Sequence, residues 1–99
     1  MKHMNISLTQ PALYWFKREM ALTEGQMVRF YVRQGGFQAD NGFSIGLTVN
    51  DTPNDVAAIL HTDGLTFFIE QKDAWFFDGH NLKVKYSRNK QEIEYVLHT

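Results

Sequence analysis

Two stretches of the sequence alternate between apolar and polar side chains, and this pattern limits the fold more than any other feature. In Met27–Gln34, apolar residues alternate with Arg29, Tyr31 and Arg33, and in Phe43–Val49 four large apolar residues alternate with small or polar ones. A period of two is typical of strands that bury one face. We therefore expect two strands that pair antiparallel and cover a core.

The rest of the chain predicts one helix and several short strands. Thr9-Gln10-Pro11 provides a capping hydroxyl and a proline for the first turn, so we expect a helix that ends near Leu22, before Gly25. Further along we expect a strand at 58–61, a tight turn at 63–64, a strand at 65–70, a short helix or turn at 71–77 and a last hairpin. The sum is an α+β fold with about six strands, mostly antiparallel.

The last hairpin also permits a prediction of register. Apolar and charged residues alternate in both halves, so one register can place apolar pairs on one face and ion pairs on the other. The expected pairs are Leu82–Tyr95, Lys83–Glu94, Val84–Ile93 and Lys85–Glu92.

Composition narrows the classes of function. The 99 residues predict one domain, residues 1–99, and the net charge of −1 gives no field that would favour nucleic acid or an anionic membrane. The sequence contains no cysteine, which excludes disulfides and sites built on thiolates. With neither a secretory signal nor a long apolar segment, we expect a cytoplasmic protein.

Five motifs, in this order, resemble the HesB/IscA-like family of iron–sulfur cluster biosynthesis domains, the A-type carrier fold. They are ISLT at 6–9, VRFYVRQGGF at 28–37, FSIGL at 43–47, DGLTFFI at 63–69 and WFFDGH at 75–80. The last is similar to a short, cysteine-free branch of the family in Firmicutes. The resemblance implies a β-rich, barrel-like sandwich with one packed helix and a possible short second one, and a link to iron–sulfur assembly proteins as partners.

The chain departs from the family at the cluster ligands. In the carriers a cysteine follows the Gly-Gly pair, whereas here Phe37 follows Gly35-Gly36, and the chain reaches Thr99 without the Cys-Gly-Cys tail of the carriers. Phenylalanine offers iron no anionic sulfur. We therefore expect no cofactor and no cluster held at the usual position.

A protein partner is the main use we foresee for the exposed residues. Arg29, Tyr31 and Arg33 form a basic and aromatic row on the outward face of their strand, which is either a solvated or helix-covered face or a partner surface. Phe37 either folds inward to cap the core or stays exposed as a contact. Trp75 starts an aromatic run of which one or two side chains should be exposed.

Catalysis and metal binding have weaker support. No nucleophile motif and no phosphate-binding loop is present, so we expect no enzyme. Asp78 and His80 lie two residues apart in a turn and could aim at one metal ion, although a plain turn with a positive φ at Gly79 explains them as well.

Three hypotheses for function remain. The first is an accessory or protein-interaction module associated with iron–sulfur cluster biosynthesis that does not itself hold a cluster. The second is a module that binds iron or zinc through histidine and carboxylates. The third is a diverged structural domain without cluster function.

Overall fold

The computed structural model describes residues 4–36 and 41–99. Within these ranges the chain forms seven strands, two short α-helices and one 3₁₀ turn. The elements are β1 (Ile6–Leu8), α1 (Gln10–Arg18), β2 (Met27–Gln34), β3 (Phe43–Val49), β4 (Val56–Thr62), β5 (Leu65–Glu70), the 3₁₀ turn Gln71–Asp73, α2 (Ala74–Phe77), β6 (Asn81–Ser87) and β7 (Glu92–His98).

Helix α1 begins as predicted but ends one turn earlier. The Thr9 hydroxyl accepts a hydrogen bond from the backbone N–H of Ala12 at 3.3 Å, which caps the first turn. The helix stops at Arg18 rather than near Leu22. The physical reason is that Ala21 adopts a positive φ of 52°, and the chain then turns back so that Leu22 is buried in the core.

The larger sheet has four strands in the order β3-β2-β5-β4. The antiparallel pairing of β2 with β3 and the hairpin of β4 with β5 confirm the predictions, and Asp63-Gly64 forms the turn of that hairpin. Strand β2 also pairs in parallel with β5 over Met27–Arg29 and Thr66–Phe68. Because β3 and β4 lie at opposite edges, the connection between them must cross the outer face of this sheet.

The smaller sheet has the order β1-β6-β7, and β1 is a strand that we did not predict. It pairs in parallel with β6, so that three of the five strand pairings in the described residues are antiparallel. Three residues are too few to show a periodicity.

The predicted register of the last hairpin is wrong by two residues. Val84 lies opposite Tyr95 rather than Ile93, and Lys85 opposite Glu94 rather than Glu92. A shift of two residues leaves each side chain on its own face, so the alternation that we used could not detect it. The turn decides the register: it has four residues rather than two, and the hydroxyl of Ser87 accepts a hydrogen bond from the N–H of Lys90 at 3.3 Å.

Aromatic rings join the two sheets and α1 into one core. The ring of Phe16 on α1 lies 5.0 Å from that of Phe67, and Phe30 on β2 contacts Tyr95 on β7 at 5.7 Å between centroids. The sheets pack as a sandwich, and neither closes into a barrel in the described part of the chain. No helix there is both long and apolar enough to cross a bilayer.

Candidate functional site: a surface beside the β2–β3 connection

The row predicted on β2 lies on the outer face of the larger sheet, and Arg29 is largely buried there. Its guanidinium contacts Asp73 at 2.9 Å and Asp51 at 3.3 Å, and only 16% of its side chain is exposed. Asp51 belongs to the connection that crosses this face, and Asp73 ends the 3₁₀ turn. Arg29 therefore ties the crossing connection and the segment before α2 to the middle of the sheet.

Asp73 also completes the edge of β2. Strand β5 pairs with β2 only as far as Arg29, after which the N–H groups on that side of β2 have no neighbouring strand. The other oxygen of the Asp73 carboxylate accepts a hydrogen bond from the backbone N–H of Val32 at 3.4 Å. The segment that follows β5 thus provides, through the Asp73 side chain, an acceptor for a backbone N–H of β2 that β5 does not pair.

The surroundings of Arg29 favour its protonated, charged form. Burial on its own would lower the pKa of Arg29, but the hydrogen bonds to Asp73 and Asp51 outweigh it, so that the pKa lies above its usual value. The Nε of Arg29 is buried without a hydrogen-bond partner. Arg29 is therefore a structural cation that is covered by the crossing connection and the 3₁₀ turn rather than by a helix.

Tyr31 lies over Gly46, where any side chain would displace the tyrosine ring. It is paired with Gly46 across β2 and β3, and a Cβ atom added to Gly46 would come within 2.8 Å of the Tyr31 ring. The Arg29 guanidinium stands 5.7 Å from the centroid of the same ring. The Tyr31 ring thus packs against Gly46 and lies beside the Arg29 guanidinium.

Arg33 is exposed and stands at the end of β2, where the connection to β3 begins. The base of this connection is closed by a hydrogen bond of 2.6 Å from the N–H of Gly35 to the carbonyl of Gly42, and the Ser44 hydroxyl donates to the carbonyl of Gly35 at 2.6 Å. Phe37 lies outside the described residues, so both of its predicted orientations stay open.

Trp75 presents the largest exposed aromatic surface near this connection. Its side chain on α2 is 59% exposed, whereas Phe77, two residues later, is fully buried in the core. The Trp75 ring meets Phe43, the first residue of β3, edge to face at 5.2 Å, and Phe76 at 6.0 Å. We call Phe43, Trp75 and Phe76 the aromatic patch.

The patch adjoins the end of the strand that carries the β2 row. Asp73, which binds Arg29, comes directly before α2, and Phe43 is paired with Gln34 at the end of the strand that carries the row. The sequence did not indicate Phe43 as a surface residue, because its place in the alternation assigns it to the inner face. Its position at the last pair of the sheet, where the core ends, leaves it half-exposed.

Asp78 and His80 lie in the turn after α2. Asp78 and Gly79 both have positive φ values, of 47° and 76°, and end the helix. The Nδ1 atom of His80 lies 3.0 Å from the carbonyl oxygen of Phe77. A carbonyl only accepts, so this nitrogen carries the proton and only Nε2 could bind a metal. Among the residues that the structure describes, no group of three or more histidine or acidic side chains is placed to hold a metal ion.

The sequence and the fold are similar to known proteins. A protein of Bacillus subtilis strain 168 named pyruvate dehydrogenase inhibitor is 43% identical over 90 residues, which make up 90% of this chain and 94% of that protein. An uncharacterised protein of Staphylococcus saprophyticus is 40% identical over 96 residues and covers 94% of this chain and 98% of its own.

The fold matches the crystal structure of Escherichia coli SufA, which is involved in biosynthesis of iron–sulfur clusters. The TM-score is 0.62 at 23% identity, and the match covers 98% of this chain and 89% of SufA. At this identity the likeness shows the fold alone. The sequence profile of the iron–sulphur cluster biosynthesis family matches residues 4–94. The chain, which resembled that family in its motifs, belongs to it.

Proposed function

We propose that this protein is a contact inhibitor of pyruvate dehydrogenase. The observation that carries the proposal is the 43% identity, over 90% of this chain, with the Bacillus subtilis protein of that name. The match covers 94% of that protein, so the likeness extends over nearly all of the sequence to which the name was given. An inhibitor of this size acts by occupying a surface of its target.

The chemistry of the chain supports contact rather than cluster transfer. No cysteine is available to bridge iron, so the reaction that the family name describes would lack its usual ligands here. Tryptophan, tyrosine and arginine are the residues that most often anchor protein interfaces. The aromatic patch, Tyr31 and Arg33 provide such residues near the β2–β3 connection, whose sequence also contains Phe37, and Trp75 is the most exposed of the described aromatic residues among them.

The test is an inhibition assay with purified pyruvate dehydrogenase complex of Bacillus subtilis, in which pyruvate oxidation is followed as NAD reduction. We expect the purified protein to inhibit in a saturable manner. Trp75→Ala should raise the concentration for half inhibition by roughly tenfold or more, since removal of an interface anchor costs about 2 kcal/mol. Phe37→Ala and Tyr31→Ala should weaken inhibition in the same direction.

Ile59→Ala is the matched control. Ile59 is a large apolar side chain that is 43% exposed, but it lies on β4 at the far edge of the larger sheet from β3. The Ile59→Ala variant should inhibit pyruvate dehydrogenase as strongly as the parent protein does. Full activity of the complex at saturating protein would refute the proposal, and equal loss in Ile59→Ala and Trp75→Ala would refute the assignment to the aromatic patch.

Family membership favours a second candidate, an accessory role among iron–sulfur assembly proteins. The two candidates predict different partners, so immobilised protein incubated with a lysate of its own host separates them. Recovery of cluster-assembly proteins, lost on Trp75→Ala, would support the accessory role. Their repeated absence beside recovered pyruvate dehydrogenase subunits would remove it.

A further inference from the structure

A pocket between α1 and the β6–β7 hairpin lies outside the surface described above. Its volume is about 180 Å³. Tyr14, Trp15 and Arg18 line it from the helix, and Tyr86 and Arg88 line it from the hairpin. We call it the helix–hairpin pocket. Pro11 and Glu19 complete the lining, so the pocket has aromatic walls, two guanidinium groups and one carboxylate.

Neither guanidinium group has a close carboxylate partner on another element of the described residues. Arg18 is 67% exposed, stands 5.6 Å from the centroid of the Tyr14 ring, and meets only the exposed carboxylate of Glu19 at 4.0 Å. Within residues 4–36 and 41–99, no carboxylate lies within 4.0 Å of the guanidinium of Arg88. This contrasts with Arg29, whose charge is met by two carboxylates. The rim therefore keeps a net positive charge free for another molecule.

The volume limits what can enter. A cavity of about 150 Å³ in a protein core accommodates benzene, whereas sites for small ligands usually measure roughly 300–1,000 Å³. The helix–hairpin pocket is thus the size of one aromatic or branched apolar side chain. Aromatic walls suit such a side chain, and arginines at the rim suit carboxylates beside it in the same segment.

We propose that the helix–hairpin pocket docks one aromatic or branched apolar side chain from an acidic segment of a partner protein, with Arg18 and Arg88 pairing with the flanking carboxylates. The occupant follows from charge complementarity and from the size of the pocket.

The pocket is separate from the aromatic patch. Strand β6 begins at Asn81, just after α2, and ends at Ser87, beside the pocket. Seven residues of strand span about 20 Å. The proposal therefore does not rest on the proposed inhibition of pyruvate dehydrogenase, and either can fail alone.

The experiment uses three acetylated pentapeptides and an NMR titration of the labelled full-length chain up to millimolar peptide. The first peptide has phenylalanine between pairs of acidic residues, the second has alanine in place of phenylalanine, and the third has lysines in place of the acids. We expect shifts of α1 and hairpin amides to saturate with the first peptide only, and the affinity to fall as salt rises.

Charge reversal locates the contact. Arg18→Glu and Arg88→Glu should each weaken binding by about fivefold or more, because an attraction at an exposed site becomes a repulsion. Lys72→Glu makes the same charge change in the exposed turn before α2 and should alter affinity by less than about twofold. Equal effects of the three variants, equal binding of the lysine peptide, or no saturable shift would each overturn the proposal. So would a homodimer that Arg88→Glu dissociates, since the pocket would then serve a second copy of this chain.

Discussion

Replacement of Asp73 by alanine should destabilise the protein far more than replacement of Asp51, although both carboxylates contact Arg29. Asp73 is 11% exposed and holds the guanidinium at 2.9 Å, while Asp51 is 49% exposed and lies at 3.3 Å. Asp73 also accepts the hydrogen bond from the Val32 backbone. Asp73→Ala thus leaves a largely buried cation with one exposed partner and leaves a backbone donor unpaired.

The size of the difference follows from these contacts. A hydrogen bond to a charged group contributes about 1.5–3 kcal/mol, and a buried donor left unpaired costs about 1–3 kcal/mol more. Because solvent still reaches 16% of Arg29 and can relieve part of this loss, we expect Asp73→Ala to lower the free energy of unfolding by about 2–4 kcal/mol. Asp51→Ala removes an exposed pair and should cost about 0–1 kcal/mol.

Urea unfolding followed by circular dichroism measures both values, provided that the slope m stays unchanged between variants. In a chain of 99 residues a loss of 2–4 kcal/mol also lowers the melting temperature by about 10–25 °C. Asp73→Asn is the informative companion, since it keeps an oxygen for the Val32 N–H and removes only the charge; it should lie between the other two. Equal losses for Asp51→Ala and Asp73→Ala would refute the assignment of Asp73 as the residue that completes the edge of β2.

Four further outcomes are expected. Thr9→Ala should lower the free energy of unfolding by about 0.5–2 kcal/mol in the same assay, since it removes the cap of α1. Burial, and secondarily the nearby Tyr31, raises the pKa of Tyr95 well above its usual value of about 10. The stability that the neutral phenol provides is therefore complete below pH 10 and falls above it. The Tyr95→Phe variant should lose less stability than the parent protein on titration to alkaline pH. Gly46→Ala should displace the Tyr31 ring at a cost of about 1 kcal/mol of stability and weaken inhibition of pyruvate dehydrogenase. A folded variant that inhibits normally would show that Tyr31 does not contribute to binding. Anaerobic reconstitution with iron and sulfide should give no stoichiometric chromophore, because the chain has no cysteine. If the His80 alternative is right, calorimetric titration with zinc or ferrous iron should show binding, and His80→Ala should abolish it.

The sequence predicted correctly the features of the fold that depend on contacts between residues close together in the chain. Alternation placed β2 and β3 at their observed bounds, the β-rich run at 65–70 placed β5, and the Asp63-Gly64 turn joined β4 to β5 as expected. The helical alternative for 71–77 was also correct. Each of these predictions depends on side chains within one element or one turn.

Features that depend on contacts distant in sequence were missed. The parallel pairing of β2 with β5 joins residues about 40 positions apart, and nothing in either strand marks its neighbour. The same holds for Asp73, which looked like a polar residue in a turn and proved to be the acceptor for Arg29 and Val32. The outward row on β2 was identified from the pattern, but the pattern could not tell that Arg29 is covered while Arg33 is exposed.

The core of the described residues is formed by apolar side chains, and none of its contacts needs a cysteine. Five phenylalanines are fully buried, and four of them, at positions 16, 30, 67 and 77, belong to the core cluster that includes residues of both helices and both sheets. The connection where the carriers place a cysteine is closed at its base by the backbone of Gly35 and Gly42, independently of the residue at position 37. A change of that residue therefore alters what the connection offers to a partner while the strands that hold it stay in place. Phenylalanine in place of cysteine at position 37 thus removes a ligand for iron without removing the hydrogen bond that closes this connection or the ring contacts of the core.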